Sequence, residues 1–213
     1  MRIIAVMSPK GGIGKTTTSD SIAYMLGEEQ EKRVLVLDGD PQGDTSKTFG
    51  VFEPGGIGMS ELLEKHECVG GTYKTGDLIR PTEYSHVDII PANGYLMKTD
   101  MNLLLKEEDN QVTRLREALE EVADAYDYCI LKQISKCKIN RIICDGKYQV
   151  IIFLKDGIRT RSGDRCIVEN QIGIQFQMVI ATLEPATHQC VRRCCTVRNW
   201  RERFTSVILD SVV

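Results

Sequence analysis

Through Leu131, short runs of apolar residues alternate with stretches in which apolar residues fall at helical spacing. Ile3-Ile4-Ala5-Val6-Met7, Val34-Leu35-Val36-Leu37, Val87-Asp88-Ile89-Ile90-Pro91 and Tyr126 to Leu131 are bounded by polar or turn residues. Continuous apolar runs of this length are how strands buried on both faces of a parallel sheet read. Between the first two, Thr16 to about Glu29 places Ile22, Ala23, Met25 and Leu26 at helical spacing. Helical patterns also occupy roughly 95–106 and 111–124; the second sets Leu115, Leu119, Val122 and Ala123 on one face against Glu117, Glu120 and Glu121 on the other. Gly55-Gly56 marks a loop, after which Met59 to Lys65 predicts a short helix with Ser60 as its cap. Strands alternating with amphipathic helices predict an α/β fold built on a doubly wound, mainly parallel sheet.

Past Leu131 the pattern weakens. Gln149 to Leu154 and Met178 to Leu183 read as strands, with no helix of convincing period between them. The segment 190–203, carrying Arg192, Arg193, Arg198, Arg201 and Arg203, reads either as a basic helix or as a poorly ordered tail. Composition changes at the same place. Residues 1–131 hold 13 Lys+Arg against 23 Asp+Glu, whereas 132–213 hold 14 against 7, a split that marks either a basic nucleic-acid-binding end or segments of different origin. Of eight cysteines, only Cys68 and Cys129 precede the change. The domain reading is therefore 1–131 as one nucleotide-binding unit and 132–213 as an unassigned, basic, Cys-rich tail, an incomplete or aberrant end to the sheet. A shifted reading frame, a fusion or a divergent domain would each account for it.

The 213 residues with 42% apolar content suffice for one α/β domain with a substantial core. No run approaches the length of a membrane-spanning helix, and the amino end passes directly into a glycine loop without a cleavage pattern. The expectation is a cytoplasmic chain with reduced thiols. Cys190 and Cys194-Cys195 near His188 do not have the spacing of a standard zinc site. Cys129, inside a strand, is expected in the core.

Chemistry concentrates in Lys10-Gly11-Gly12-Ile13-Gly14-Lys15-Thr16-Thr17, between the first strand and the first helix. Glycines let the backbone curl so that successive N–H groups face phosphate oxygens, and the helix start adds the positive end of its dipole. Lys15 would neutralise β/γ-phosphate oxygens and Thr16 would offer its hydroxyl to Mg²⁺. Gly11, Gly12, Ile13, Gly14, Lys15, Thr16 and Thr17 are the candidate nucleotide-binding residues.

The second lysine, Lys10, ahead of the glycines resembles the deviant P-loop of the ParA/MinD class of ATPases. Leu37-Asp38-Gly39-Asp40-Pro41-Gln42-Gly43-Asp44-Thr45 is similar to the switch-like stretch of ParA/Soj partitioning ATPases. Ile89-Ile90-Pro91-Ala92-Asn93 and Tyr126-Asp127-Tyr128-Cys129-Ile130-Leu131 look like the same family, so the resemblance covers about residues 1–131. It implies a P-loop NTPase fold, ATP and Mg²⁺ as cofactors, and ATP hydrolysis in chromosome or plasmid partitioning. It implies a homodimer formed with ATP, nonspecific DNA binding, a ParB-like partner and, with DNA bound, a place on the nucleoid. Lys10 would act in trans on the partner's phosphates, Asp40 would help position the attacking water, and Asp38 would lie near Lys15 and the metal shell. The implied catalytic residues are Lys10 and Asp40, and the implied metal residues are Thr16 and Asp38.

One position departs from the family. Where an aspartate supporting Mg²⁺ is expected after Leu131, this chain has Lys132, and the prolines that usually follow are missing. A cation beside Mg²⁺ is repulsive, so Lys132 is expected to point away from the site. The substitution opens a second reading, a nucleotide binder that does not hydrolyse or a defective fragment. A MinD-like positioning ATPase is a third, disfavoured because Thr205 to Val213 is too short and too β-branched for an amphipathic membrane helix.

Overall fold

The structure, a computed structural model, describes residues 1–7, 11–12, 14–64, 73–105, 111–133, 150–156, 168–169, 175–183 and 190–194. The first apolar run forms β1 (Arg2–Met7), and the stretch after the glycines forms α1 (Lys15–Tyr24), which continues as a π-helical segment over Met25–Glu29. The second run forms β2 (Val34–Gly39), followed by α2 (Asp44–Thr48), α3 (Met59–Glu64) and α4 (Thr75–Leu78). A two-residue strand β3 (Arg80–Pro81) precedes β4 (Val87–Ile90), and α5 (Leu96–Leu105) and α6 (Gln111–Glu121) lead to β5 (Tyr128–Gln133). Beyond it come β6 (Val150–Asp156), β7 (Val168–Glu169), β8 (Gln175–Leu183) and β9 (Cys190–Cys194).

Among the described residues these strands make one sheet in the order β3-β4-β2-β5-β1-β6-β8-β7, with β9 also pairing β8. The centre, β4-β2-β5-β1-β6, is parallel throughout. Antiparallel strands finish both sides: β3 on β4, and β8 on β6 with β7 and β9 beyond. This is the doubly wound, mainly parallel sheet that the sequence predicts.

Strand alternation divides the core in two. Ile4, Val6, Val34, Val36, Ile89 and Ile130 face one side and pack with Ile22, Ala23 and Leu26 of the first helical segment. Ala5, Leu35, Leu37, Ile90, Cys129 and Leu131 face the other and pack with Leu62, Leu63, Leu78, Leu96, Leu115 and Leu119 from α3 to α6. Each such side chain contributes about 1.5–3 kcal/mol by leaving water, and the central strands contribute to both layers. Cys129 lies in the core as expected, and burial pushes its thiol pKa well up.

Two local expectations are corrected. Ser60 does not cap α3. It lies inside the helix, buried, and accepts a 2.7 Å bond from Asn93 Nδ2, while Glu61 Oε2 accepts from the Gly58 N–H ahead of the helix at 2.7 Å. Residues 190–194 form a strand rather than the start of a basic helix, because β8 offers a free edge to pair with; 195–203 lie outside the described residues. Both strands expected in the tail are present, as β6 and β8. No helix of the described residues is long and apolar enough to cross a membrane.

Candidate functional site

The parallel order sets the carboxyl ends of β1, β2 and β5 side by side, the edge at which open α/β sheets take ligands. From β1 the chain enters the glycine turn. Gly12 and Gly14 adopt φ of 72° and 86°, a left-handed backbone that strains any residue with a Cβ. Gly14 is the N-cap of α1, and its carbonyl accepts the Thr18 N–H at 2.8 Å. The turn thereby aims the start of α1 at the sheet edge. Gly11, Gly12 and Thr17 are exposed, Thr16 is half-buried, and Lys15 is buried at 8% exposure. Loss of water lowers the Lys15 pKa; the charge of Asp40 opposes this and that of Lys132 adds to it. Lys10 and Ile13 lie outside the described residues.

Next to this turn, β2 ends in an acid held inside the protein. Asp38 is fully buried. Its Oδ2 accepts the Ser46 backbone N–H at 2.9 Å and the Ser46 hydroxyl at 2.8 Å, and its Oδ1 accepts the Asp40 N–H at 3.3 Å. The Ser46 hydroxyl also accepts the Ala92 N–H at 2.9 Å, which ties the end of β4 to the acid on β2. Asp40, half-buried, accepts the Gln42 N–H at 3.0 Å in the turn that follows.

Lys132 does not point away. Its ammonium lies 3.4 Å from Asp38 Oδ1 and 3.7 Å from Asp40 Oδ2, with the side chain at 0% exposure. Register is the cause. Lys132 on β5 pairs with Asp38 on β2 on one side and with Val6 on β1 on the other. Alternation gives it the same face as Ile130, where the neighbouring positions are apolar and Asp38 is the counter-charge within reach. A buried ammonium left unpaired costs several kcal/mol, about 3–5 when a partner is removed, so the carboxylates draw it in. Ion-pair distance is all that these contacts reach. Among the described residues the Lys132 ammonium makes no hydrogen bond of good geometry.

The oxygens near the glycine turn are of the hard kind that Mg²⁺ takes. They fit it unevenly. The Thr16 hydroxyl stands at the head of α1, but a carboxylate has roughly four acceptor positions, and three of those of Asp38 are taken by two groups of Ser46 and the Asp40 N–H, with the Lys132 ammonium 3.4 Å from Oδ1. Among the described residues no group of three His, Cys, Asp or Glu side chains is arranged to hold a metal.

Behind this cluster Thr45 donates to Asp20 Oδ1 at 2.8 Å. Burial pushes the Asp20 carboxyl up to about 6, against the lowering effect of Thr45 and Lys132. Asp20 and Ser46 carry no motif of their own, and sequence reading passes over both. The one available signal for Ser46 is its place directly after Thr45 in the switch-like stretch.

A family model described as an AAA domain matches residues 1–144. The chain belongs to that family. The resemblance to ParA/Soj ATPases is met among curated proteins: the chromosome partitioning protein ParA of Myxococcus xanthus is 34% identical over 130 residues, 61% of this chain and 43% of that protein. The sporulation initiation inhibitor protein Soj of Bacillus subtilis is 34% identical over 134 residues, 61% of this chain and 48% of its own. This AAA-domain chain thus spans about half the length of the curated relatives it matches. Among solved structures, a cobyrinic acid a,c-diamide synthase from Mycobacterium smegmatis with bound ADP and magnesium is 29% identical at a TM-score of 0.55, covering 64% of this chain and 52% of that one. An ATP complex of a Cyanothece McdA variant shares the fold at a TM-score of 0.58 and 23% identity, over 70% of this chain and 54% of that one. The fold is shared with both of these nucleotide-bound structures.

Proposed function

We propose that this chain binds ATP with Mg²⁺ and works in the cytoplasm as a ParA/Soj-type partitioning ATPase. In this reading two chains close on two nucleotides, the dimer binds DNA without sequence preference, and a ParB-like partner stimulates hydrolysis. The observation that carries it is the buried Lys15 at the head of α1, behind two left-handed glycines and at the carboxyl ends of β1, β2 and β5. Gly11, Gly12, Ile13, Gly14, Lys15, Thr16 and Thr17 would cradle the phosphates, and Lys10 would reach the partner's nucleotide. Asp40 would orient the attacking water. When bound, Mg²⁺ would neutralise charge on the phosphoryl oxygens, and Thr16 would offer it the protein oxygen.

Calorimetric titration of the full chain with ATP and with ADP tests this. Lys15→Ala should weaken ATP binding by about 1.5–3 kcal/mol, roughly ten- to a hundredfold. A folded wild-type chain that binds neither nucleotide ends the reading.

One observation favours a second reading, a nucleotide binder with little or no hydrolysis. Lys132 lies 3.7 Å from the Asp40 carboxylate, and an ammonium there would restrain the group that should turn toward water. Phosphate release by the wild type at the rate of uncatalysed ATP hydrolysis would favour it, whereas multiple turnovers would remove it.

A further inference from the structure

We propose that the Lys132 ammonium stands in for a divalent cation between Asp38 and Asp40, so that this chain holds nucleotide phosphates with little help from Mg²⁺. The part concerning phosphates rests on the nucleotide-binding reading above; the part concerning the metal rests on the acid cluster alone.

Two carboxylates at the mouth of a phosphate site repel an incoming polyanion unless a cation lies between them. Here the cation is covalently part of β5. Lys132 is fully buried, pairs in register with Asp38, and sits within 4.0 Å of both acids. Opposite charges this close attract strongly where little water screens them, and a tethered ion does not dissociate. Asp38 is further held by Ser46 and by the Asp40 N–H, which take three of the roughly four acceptor positions of its carboxylate, and the Lys132 ammonium stands at ion-pair distance from the same Oδ1 that accepts the Asp40 N–H. A metal entering between the acids would have to displace the ammonium into an apolar wall formed by Val6 and Ile130.

Among the described residues the contacts of the ammonium with the acids are electrostatic only. Lys132 on β5 and Lys15 at the head of α1, after β1, lie at the carboxyl ends of neighbouring parallel strands, and the charge of Lys132 adds to the lowering of the Lys15 pKa. The single charge of Lys132 thus offsets that of one of the two carboxylates, and the buried Lys15 at the head of α1 is the second cation of the site. The arrangement delivers at the protein's own expense the countercharge that a bound divalent ion otherwise brings.

The test uses the full chain in two arms. In the first, thermal unfolding is followed with Mg²⁺ alone. The wild type should show no shift, because the acids are already paired, whereas Lys132→Asp gathers three carboxylates and should be raised in Tm by Mg²⁺. A wild-type Tm that rises with Mg²⁺ alone overturns the proposal whether or not ATP binds. In the second, ATP affinity is measured in saturating Mg²⁺ and in excess EDTA. The wild type should differ by less than about threefold between the two and Lys132→Asp by more than about tenfold. Equal, large Mg²⁺ dependence in both proteins overturns the proposal while leaving nucleotide binding intact. Should Lys132→Asp fail to fold, the neutral pair Asp38→Asn with Lys132→Met replaces it. That variant loses one charge of each sign, so its ATP affinity in EDTA should stay within about threefold of the wild type, and a loss of about tenfold or more counts against Lys132 acting as the countercharge of Asp38. Absence of ATP binding in every protein and condition removes the phosphate half of the proposal together with the function it rests on.

Discussion

At the scale of single residues, the buried charges decide more than the motif does. Lys132 and Asp38 are both at 0% exposure and 3.4 Å apart, so removing one strands the other. Lys132→Met is expected to cost about 3–5 kcal/mol of stability, while the double change with Asp38→Asn should recover most of it. Urea unfolding of the two single variants and the double gives the coupling directly, and additive losses would refute the pairing. Asp20 supplies a pH signature of opposite origin. Its carboxyl is raised to about 6 from an ordinary 3.8, so between those values the folded chain keeps a proton that the unfolded chain has released. Stability from this group is full below the lower value and falls as pH rises through about 6. Thr45 donates to it, and the charges of Lys132 and Asp38 act on it with opposite signs. Asp20→Asn, which still accepts from Thr45, should stabilise the chain at neutral pH by on the order of 1–2 kcal/mol and flatten the slope between about 4 and 6. Unfolding midpoints across that range check it, and an unchanged slope would assign the pH dependence to another group.

At the scale of elements, the turn between β1 and α1 depends on backbone shape rather than on side-chain contact. Gly14 has open space around a hypothetical Cβ, yet its φ is 86°, so Gly14→Ala should fit sterically and still cost about 1–2 kcal/mol from the left-handed conformation. Relaxation of that strain would turn the first N–H groups of α1, and ATP affinity should fall with stability; a variant of reduced stability but unchanged affinity would show that those groups do not meet the phosphates. The short elements around the site were the hardest to read. The helix α2 has five residues and β3 has two, too few to display a period, and both form because the longer elements hold their ends. Ser60 illustrates the same limit: a serine ahead of leucines reads as a cap, but Asn93, distant in sequence, supplies its partner at 2.7 Å. Long runs with strong periodicity, such as α6 with Leu115 and Leu119 inside, were legible because burial of one face is a property of the sequence itself.

At the scale of the whole molecule, β6 closes the parallel sheet on the far side of β1, pairing Ile4 to Met7 with Val150 to Phe153. Residues after the compositional break therefore complete the sheet backbone instead of lying apart from it. A chain truncated after Gln133 would leave β1, which carries the phosphate turn, as an open edge of the sheet. Such a chain is expected to associate and to lose its cooperative unfolding transition; sedimentation of a monomer with an unchanged transition would make the tail dispensable, in keeping with a boundary near 131. Wild-type chain with ATP should be stabilised by RT ln(1 + [L]/Kd), about 2.7 kcal/mol at a hundredfold excess over Kd, and melt correspondingly higher.

The residues alone settled the sheet class, the glycine turn and the acidic stretch, since each depends on neighbours within a few positions: apolar runs, glycines and a helix start are local facts. They also showed that a lysine replaces the expected acid at 132, but not where its charge goes. That was decided by register, because the pairing of β5 with β2 sets Lys132 opposite Asp38 across nearly a hundred residues of chain, and a buried ammonium takes whichever carboxylate the fold brings within reach.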